Sequence, residues 1–324
     1  MTASPASAPG PGSLTVEVIG IERPADGIRQ LRLAAPDRRP LPSFVPGSSI
    51  LVTVPPEHPD EVEVVRAYTL IGPAFEPDAY AIAVREIGAG SRRIHRLTVG
   101  RSLTVSLPRS GFAPVLAAPE HLLIAGGIGV TPILAHARWH HETGGRITAL
   151  HVHQPGRDAY RDDLRMLTAG RVTHLVGRGG VVEELERLIG EADPAAHLYT
   201  CGPDGLVRTV EEVAERLGVT ADRVHSELFT TPERPSEPFT VDLRNSGRSI
   251  EVAADQSLLE ALEAAGVDVD SQCRRGVCGR CCIPVSGGSI DHRDLYLSAR
   301  ERAAGTEMMP CVSRALGPAL EVAL

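Results

Sequence analysis

The sequence predicts three folded blocks in series: an antiparallel β-barrel or sandwich, an α/β block with a parallel sheet, and a small block organised by cysteines. Short β-branched runs broken by Pro and Gly carry the first. Strand–helix alternation carries the second. Thiols crowded into the C-terminal part of the chain carry the third. Of 324 residues, 42% are apolar and 23% charged, ample for two or three buried cores. The net charge of −8 argues against a nucleic-acid partner. No window approaches eighteen uninterrupted apolar residues, so no membrane span is expected. All 33 basic residues are Arg, which excludes a Schiff-base lysine and a P-loop lysine.

Residues 1–13 are rich in Ala, Ser, Pro and Gly, lack the pattern of a signal peptide, and read as a disordered lead-in. The first folded block covers 14–115, with strands at Leu14–Glu22, Ile28–Ala34, Ile50–Val54, Glu63–Ile71, Tyr80–Glu86 and Leu103–Leu107, and one helix starting near Ser91. The second covers 116–229. Strands at His121–Ala125, Ile147–His153, Arg171–Val176, His197–Thr200 and Arg223–Leu228 alternate with helices from Pro132, over Asp162–Leu167, Val181–Ile189 and Asp204–Leu217. Residues 230–238 form a Pro-rich linker. The third block, 239–324, opens with a hairpin around Asn245-Ser246-Gly247 and a helix whose capping box is Ser257 and Glu260.

Cysteines then follow as Cys273-x4-Cys278-x2-Cys281, with 29 residues before Cys311. This is the spacing of a plant-type [2Fe–2S] centre. Four thiolates must converge on the cluster, and Gly276 and Gly279 let one loop bring three of them. A zinc site would show paired knuckles, and only one CxxC is present. Cys282 reads as a small buried thiol, and Arg274, Arg275 and Arg280 as solvated loop charge or a docking patch for an acidic partner.

In the second block, GGIGVTP places Gly126, Gly127 and Gly129 between a strand and a helix, with Thr131 as its cap and Pro132 in its first turn. Such a helix start favours a pyrophosphate. A second strand ends in Cys201-Gly202-Pro203, again before a helix. In the first block, Arg66-Ala67-Tyr68-Thr69 offers a guanidinium, an aromatic face and a hydroxyl on one strand, and Gly90-Ser91 stands at a helix start.

Together these motifs resemble the ferredoxin–NADP reductase superfamily followed by a plant-type ferredoxin domain. The domain order is that of the phthalate dioxygenase reductase and vanillate demethylase reductase family. The resemblance implies a multidomain fold: an antiparallel β-barrel flavin domain, an α/β parallel-sheet nicotinamide domain and a β-grasp [2Fe–2S] ferredoxin domain. It implies a flavin on Arg66, Ala67, Tyr68, Thr69, Ala83, Val84, Gly90, Ser91 and Phe229. It implies a nicotinamide nucleotide on Gly127, Gly129, Thr131, Pro132, Cys201, Gly202 and Pro203, and a cluster on Cys273, Cys278, Cys281 and Cys311. No acid–base catalyst is expected, because hydride transfer needs none. The implied activity is cytoplasmic: hydride from NADH to FMN, then single electrons through [2Fe–2S] to a Rieske-type terminal oxygenase. An FAD-containing monooxygenase reductase and a non-catalytic ferredoxin carrier are the alternatives. Arg157, Arg161 and Asp158 leave NADH against NADPH open.

Overall fold

The computed structural model describes residues 12–54, 64–229, 236–271 and, from there to the C-terminus, all but 272, 273, 275, 277, 278, 295 and 298. The chain divides into two compact units, Met1–Phe229 and Thr230–Leu324.

The first unit opens with strands β1 (Ser13–Ala25), β2 (Ile28–Ala34), β3 (Ser48–Val54), β4 (Val64–Thr69) and β5 (Tyr80–Arg85), helix α1 (Ala89–Arg96), then β6 (Ser102–Ser106) and β7 (Arg109–Ser110). All pairings are antiparallel, in the order β4-β3-β6-β1-β2-β5, with β7 also on β3. A bridge between Leu70 and Ile82 joins the two end strands, so the sheet closes into the expected barrel. The alternation that signals these strands is the one that fills the barrel. In β3 every second residue is buried, and Ile50 and Val52 meet Val16, Leu31, Leu70 and Ile82 inside. Register breaks in β1 at Val18/Gly20 and Glu22/Ala25 bend one long strand enough to pair with both β6 and β2.

The same unit continues with β8 (His121–Gly126), α2 (Val130–Thr143), β9 (Ile147–His153), α3 (Arg161–Leu167), β10 (Val172–Val176), α4 (Val181–Glu191), β11 (His197–Cys201), α5 (Asp204–Arg216) and β12 (Val224–Glu227). The five strands are parallel, in the order β10-β9-β8-β11-β12. Every residue of the central β8 is buried, as a strand covered on both faces must be. One face packs α2 and α3 into a core shared with the barrel residues Ile28, Ile71 and Ala83. The other takes Leu185, Leu188, Val210 and Val213 of α4 and α5.

In the second unit β13 (Phe239–Leu243), β14 (Arg248–Val252), α6 (Leu258–Ala264), β15 (Ile283–Gly287), β16 (Ile290–Asp291), α7 (Ala299–Ala304), β17 (Glu307–Met308), β18 (Arg314–Ala315) and β19 (Ala319–Val322) follow one another. The main sheet runs β14-β13-β19-β15-β17, and β13 lies parallel to β19. That arrangement, a mixed sheet with one helix across it, is the β-grasp pattern expected. The capping box is formed: Ser257 Oγ accepts from the Glu260 N–H at 3.2 Å, and the Glu260 carboxylate accepts from the Ser257 N–H at 2.9 Å. Ser236 and Glu237, assigned to the linker, are held by Arg293 and Arg314 of this unit. Residues 230–235 of the linker lie outside the described residues.

Candidate functional site

The glycine turns after β8 and β11 stand side by side. The register pairs Cys201 with Ala125, so both strands end at the same level and both turns open at their carboxyl edge, where ligands bind in open α/β sheets. Only glycine permits the contact. A Cβ on Gly129 would lie 2.2 Å from the Cys201 carbonyl oxygen and 2.8 Å from the Gly202 nitrogen. One on Gly202 would lie 2.9 Å from the Gly126 Cα. Gly126, which the motif reading left without a role, abuts Pro203 and Leu206 at 2.7 Å by the same measure. Gly127 differs: its φ is +54° and open space surrounds it. Backbone is therefore left open at Gly127 and locked behind it by Gly126, Gly129 and Gly202.

One expectation is corrected at the helix start. The chain turns through a 3-10 segment over Gly127–Gly129, and α2 begins at Val130, not Pro132. Gly129 holds the cap position, and Thr131 is already inside the helix, where its Oγ1 donates to the Ile128 carbonyl at 3.1 Å. Pro132 remains in the first turn, where its missing N–H costs nothing.

Cys201 is fully buried, and its strand partner is Glu227. Burial and the neighbouring Glu227 push the thiol well above its usual range, so Cys201 is no nucleophile. Burial likewise pushes the Glu227 carboxyl up to about 8, and its Oε2 has no hydrogen-bond partner among the described residues. Glu227 and Cys201 thus sit together at the carboxyl ends of adjacent strands. Two residues on, Phe229 is 41% exposed, an aromatic left uncovered at the same edge.

On the barrel, Arg66 and Tyr68 share the face of β4 that pairs with the core residues Val52 and Ile50, while Thr69 lies on the opposite face, paired with Ser49 and buried. The Arg66 guanidinium donates to the Val65 carbonyl at 2.7 Å, and Tyr68 packs partly against the barrel core. Ala83 and Val84 are buried on β5. Gly90 and Ser91 are buried at the start of α1. The Ser91 hydroxyl closes that turn: it accepts from the Ile87 and Gly88 N–H groups at 2.9 and 3.0 Å and donates to the Gly88 carbonyl. An anion arriving there would meet backbone N–H groups of the first helical turn and not a spare hydroxyl.

In the second unit Cys281 and Cys311 are buried, their sulfurs 3.3 Å apart, and neither forms a disulfide. Cys273 and Cys278 lie outside the described residues, and among the described ones no three His, Cys, Asp or Glu side chains are gathered for a metal ion. The loop between the thiols is tightly wound. Gly276 and Gly279 have φ of +68° and +73°. A Cβ would strike Val312 and the Asp294 backbone at Gly276, and the Tyr296 ring at Gly279. Asp294 supports this loop from beneath. Its side chain is fully buried and accepts from the Leu297 N–H at 2.8 Å, the Tyr296 N–H at 3.2 Å and the Ser313 hydroxyl at 3.2 Å. Ser313 lies two residues past Cys311, so this carboxylate holds the Cys311 segment, while Gly276 of the thiol loop packs against the Asp294 backbone. Arg274 and Arg280 are paired with Glu263 and Asp270; Arg275 lies outside the described residues. Cys282 is half-buried, its thiol pushed up to about 11, mainly by burial. A paired-thiol donor set in a glycine-only loop fits a thiolate-held iron–sulfur cluster.

Sequence reasoning named Gly126 without giving it a role, and missed Glu227 and Asp294. The Gly126-Gly127 doublet was the available signal for the first. Nothing local marks the other two, because each acts on a segment far along the chain.

Comparison with known proteins agrees with this geometry. Residues 241–316 match the 2Fe-2S iron-sulfur cluster binding domain family, and residues 102–224 match the N-terminal domain of the dimethylamine monooxygenase subunit DmmA-like family. The carnitine monooxygenase reductase subunit of Escherichia coli (strain K12) is 35% identical over 312 residues, 94% of this chain and 96% of that one. The solved structure of phthalate dioxygenase reductase, described as modular for electron transfer from pyridine nucleotides to [2Fe-2S], matches with a TM-score of 0.70 at 33% identity, covering 97% of this chain and 98% of that one. An intact type IV self-sufficient cytochrome P450 monooxygenase matches with a TM-score of 0.78 at 35% identity, covering all of this chain, which spans 43% of that protein.

Proposed function

The chain belongs to the family of reductase components of oxygenase systems, and on that premise we propose that it is an NADH-dependent reductase carrying FMN and a [2Fe–2S] cluster. It takes hydride from NADH and delivers electrons singly to a terminal oxygenase of the Rieske type. One feature carries this reading: a single chain holds a two-electron entry, the paired GGIG and CGP turns, and a one-electron exit, the thiol segment. A flavin supplies the conversion between pairs and single electrons, since it can hold either.

Each group of residues has a task in this scheme. Gly127, Gly129, Thr131 and Pro132 present the helix start to the pyrophosphate of NADH, and Cys201, Gly202 and Pro203 form the floor under the nicotinamide. Arg66 neutralises the flavin phosphate. Ala67, Tyr68, Thr69, Ala83 and Val84 line the ring, and Gly90 and Ser91 supply the helix turn beside the phosphate. Phe229, exposed at the edge of the sheet, would shield the flavin face. Cys273, Cys278, Cys281 and Cys311 hold the iron. The cytoplasm suits such a protein, because thiolates stay reduced there. No described helix is long and apolar enough to cross a membrane.

Cys278→Ser tests the division of labour. Visible absorbance of the cluster should vanish while NADH-dependent ferricyanide reduction persists, because flavin reduction lies upstream. Loss of both together would contradict the scheme. The whole-length match to a self-sufficient cytochrome P450 monooxygenase favours a second acceptor, a haem oxygenase. Reduction assays with isolated Rieske and haem oxygenases separate the two.

A further inference from the structure

Tyr160 combines two features that rarely coincide. Its backbone is left-handed, φ +61° and ψ +22°, and its side chain is almost entirely buried. A bulky L-residue in that conformation carries backbone strain that glycine would not. Such strain persists only where surrounding structure over-determines it. Here the strained backbone aims the phenol out of the parallel-sheet domain into the barrel. Its hydroxyl donates to Gln30 Oε1 on β2 at 2.7 Å, and Gln30 Nε2 donates to Glu22 on β1 at 3.1 Å. Burial raises the phenol well above its usual range, so it remains a proton donor.

The place of this contact gives it meaning. Gln30 is paired across the ladder with Ala83, one of the residues assigned to the flavin. Tyr160 opens α3 at the end of the segment that leaves the carboxyl edge of β9, the nucleotide-facing edge of the sheet. Other polar ties cross the same seam: the Val115 N–H donates to the Tyr199 hydroxyl of β11 at 2.7 Å, and two ties come from α2. His136 Nε2 bonds the Phe112 carbonyl at 2.7 Å, where Gly47 of the barrel is pressed against Phe112. Arg138 donates to the Ile71 carbonyl at 3.3 Å. Tyr160 is the tie that reaches β2, the strand whose ladder partner carries Ala83, from a different helix.

We propose that Tyr160 is a positioning residue that fixes the barrel against the parallel sheet in the orientation hydride transfer requires. The proposal rests on the functional reading above. It concerns alignment and not binding, so it predicts a particular separation of effects. A loosened seam misplaces the reacting atoms, and a displacement of about 1 Å can cost up to about 100-fold in rate. The contacts that hold NADH itself are untouched.

The test uses the flavin-loaded full chain and three variants: Tyr160→Phe, Gln30→Met and the double. Single-turnover reduction by NADH gives a limiting rate and an apparent dissociation constant. Hydrogen exchange reads the amides of β2 and α3. Tyr160→Phe should lower the limiting rate about tenfold, leave the dissociation constant within about twofold, and speed exchange in β2 and α3. The double variant should be no slower than either single one. A lowered melting temperature with an unchanged limiting rate would overturn the proposal, as would equal loss in rate and affinity or additive losses in the double variant. Failure of the functional reading is distinguishable: the unaltered protein would then not be reduced by NADH at all.

Discussion

The two units solve the same problem, bringing distant chain segments close around a ligand, with different materials. In the first unit the turns after β8 and β11 meet backbone to backbone, and glycine is required because nothing opposite can move. In the second unit the thiol loop folds onto side chains and onto one buried carboxylate, Asp294. Their polar interiors contrast too. The parallel sheet buries imidazoles in neutral form: burial lowers His121 and His136 to about 4, and His140 and His151 to about 3. The second unit contains one histidine, His292, and rests instead on a charge whose acceptor positions are filled. A buried neutral group fails when it must take up a proton, whereas a buried anion fails when its donors are removed.

Acid gives the largest test of that contrast. Unfolded histidines titrate near 6.5, above the folded values of these four, so the unfolded state binds more protons as pH falls below about 6.5. Stability of the first unit is therefore full above that pH and declines toward pH 4, each such histidine contributing up to about 1.4 kcal/mol per pH unit. Calorimetry at pH 7 and pH 5 should show the transition of the first unit moving down more than that of the second. Equal shifts would break the comparison.

Asp294→Ala strands two N–H groups and the Ser313 hydroxyl, and should destabilise the second unit by about 3 kcal/mol while leaving the melting of the first unchanged. Gly129→Ala should cost about 3 kcal/mol in the first unit, since the new methyl meets the Cys201 carbonyl. Gly279→Ala meets only the Tyr296 ring, a half-exposed side chain able to swing aside, so the left-handed backbone sets its cost, about 1–2 kcal/mol. Urea unfolding of each variant measures these values, and a smaller effect at Gly129 than at Gly279 would reverse the distinction. Thr131→Ala should have the smallest effect, about 1 kcal/mol, because its hydroxyl makes one bond to Ile128 and caps nothing.

Legibility followed the length of the local pattern. The strands β1 to β6 and the helices of the parallel-sheet domain declare themselves through periods of two and 3.6 over five residues or more. β16, β17 and β18 are two residues long, too short for any period, and only pairing with partners elsewhere makes them strands. Thr131 shows how a local rule goes astray. A hydroxyl before Pro132 reads as a cap, but Gly129 already has helical backbone angles, φ −61° and ψ −5°, because the 3-10 turn starts the coil early.

By itself the sequence determined the order of the three blocks, the thiol spacing, the two glycine turns and the strand that carries Arg66 and Tyr68. Each is a run of neighbours whose chemistry needs nothing from afar. Tertiary structure alone decided that Gly129 lies against Cys201, that Glu227 pairs with the same Cys201 across adjacent strands, that Asp294 holds Ser313 near Cys311, and that Tyr160 reaches Gln30. These contacts join residues far apart in the chain, and the free energy that selects them comes from packing the whole fold, which no local window contains.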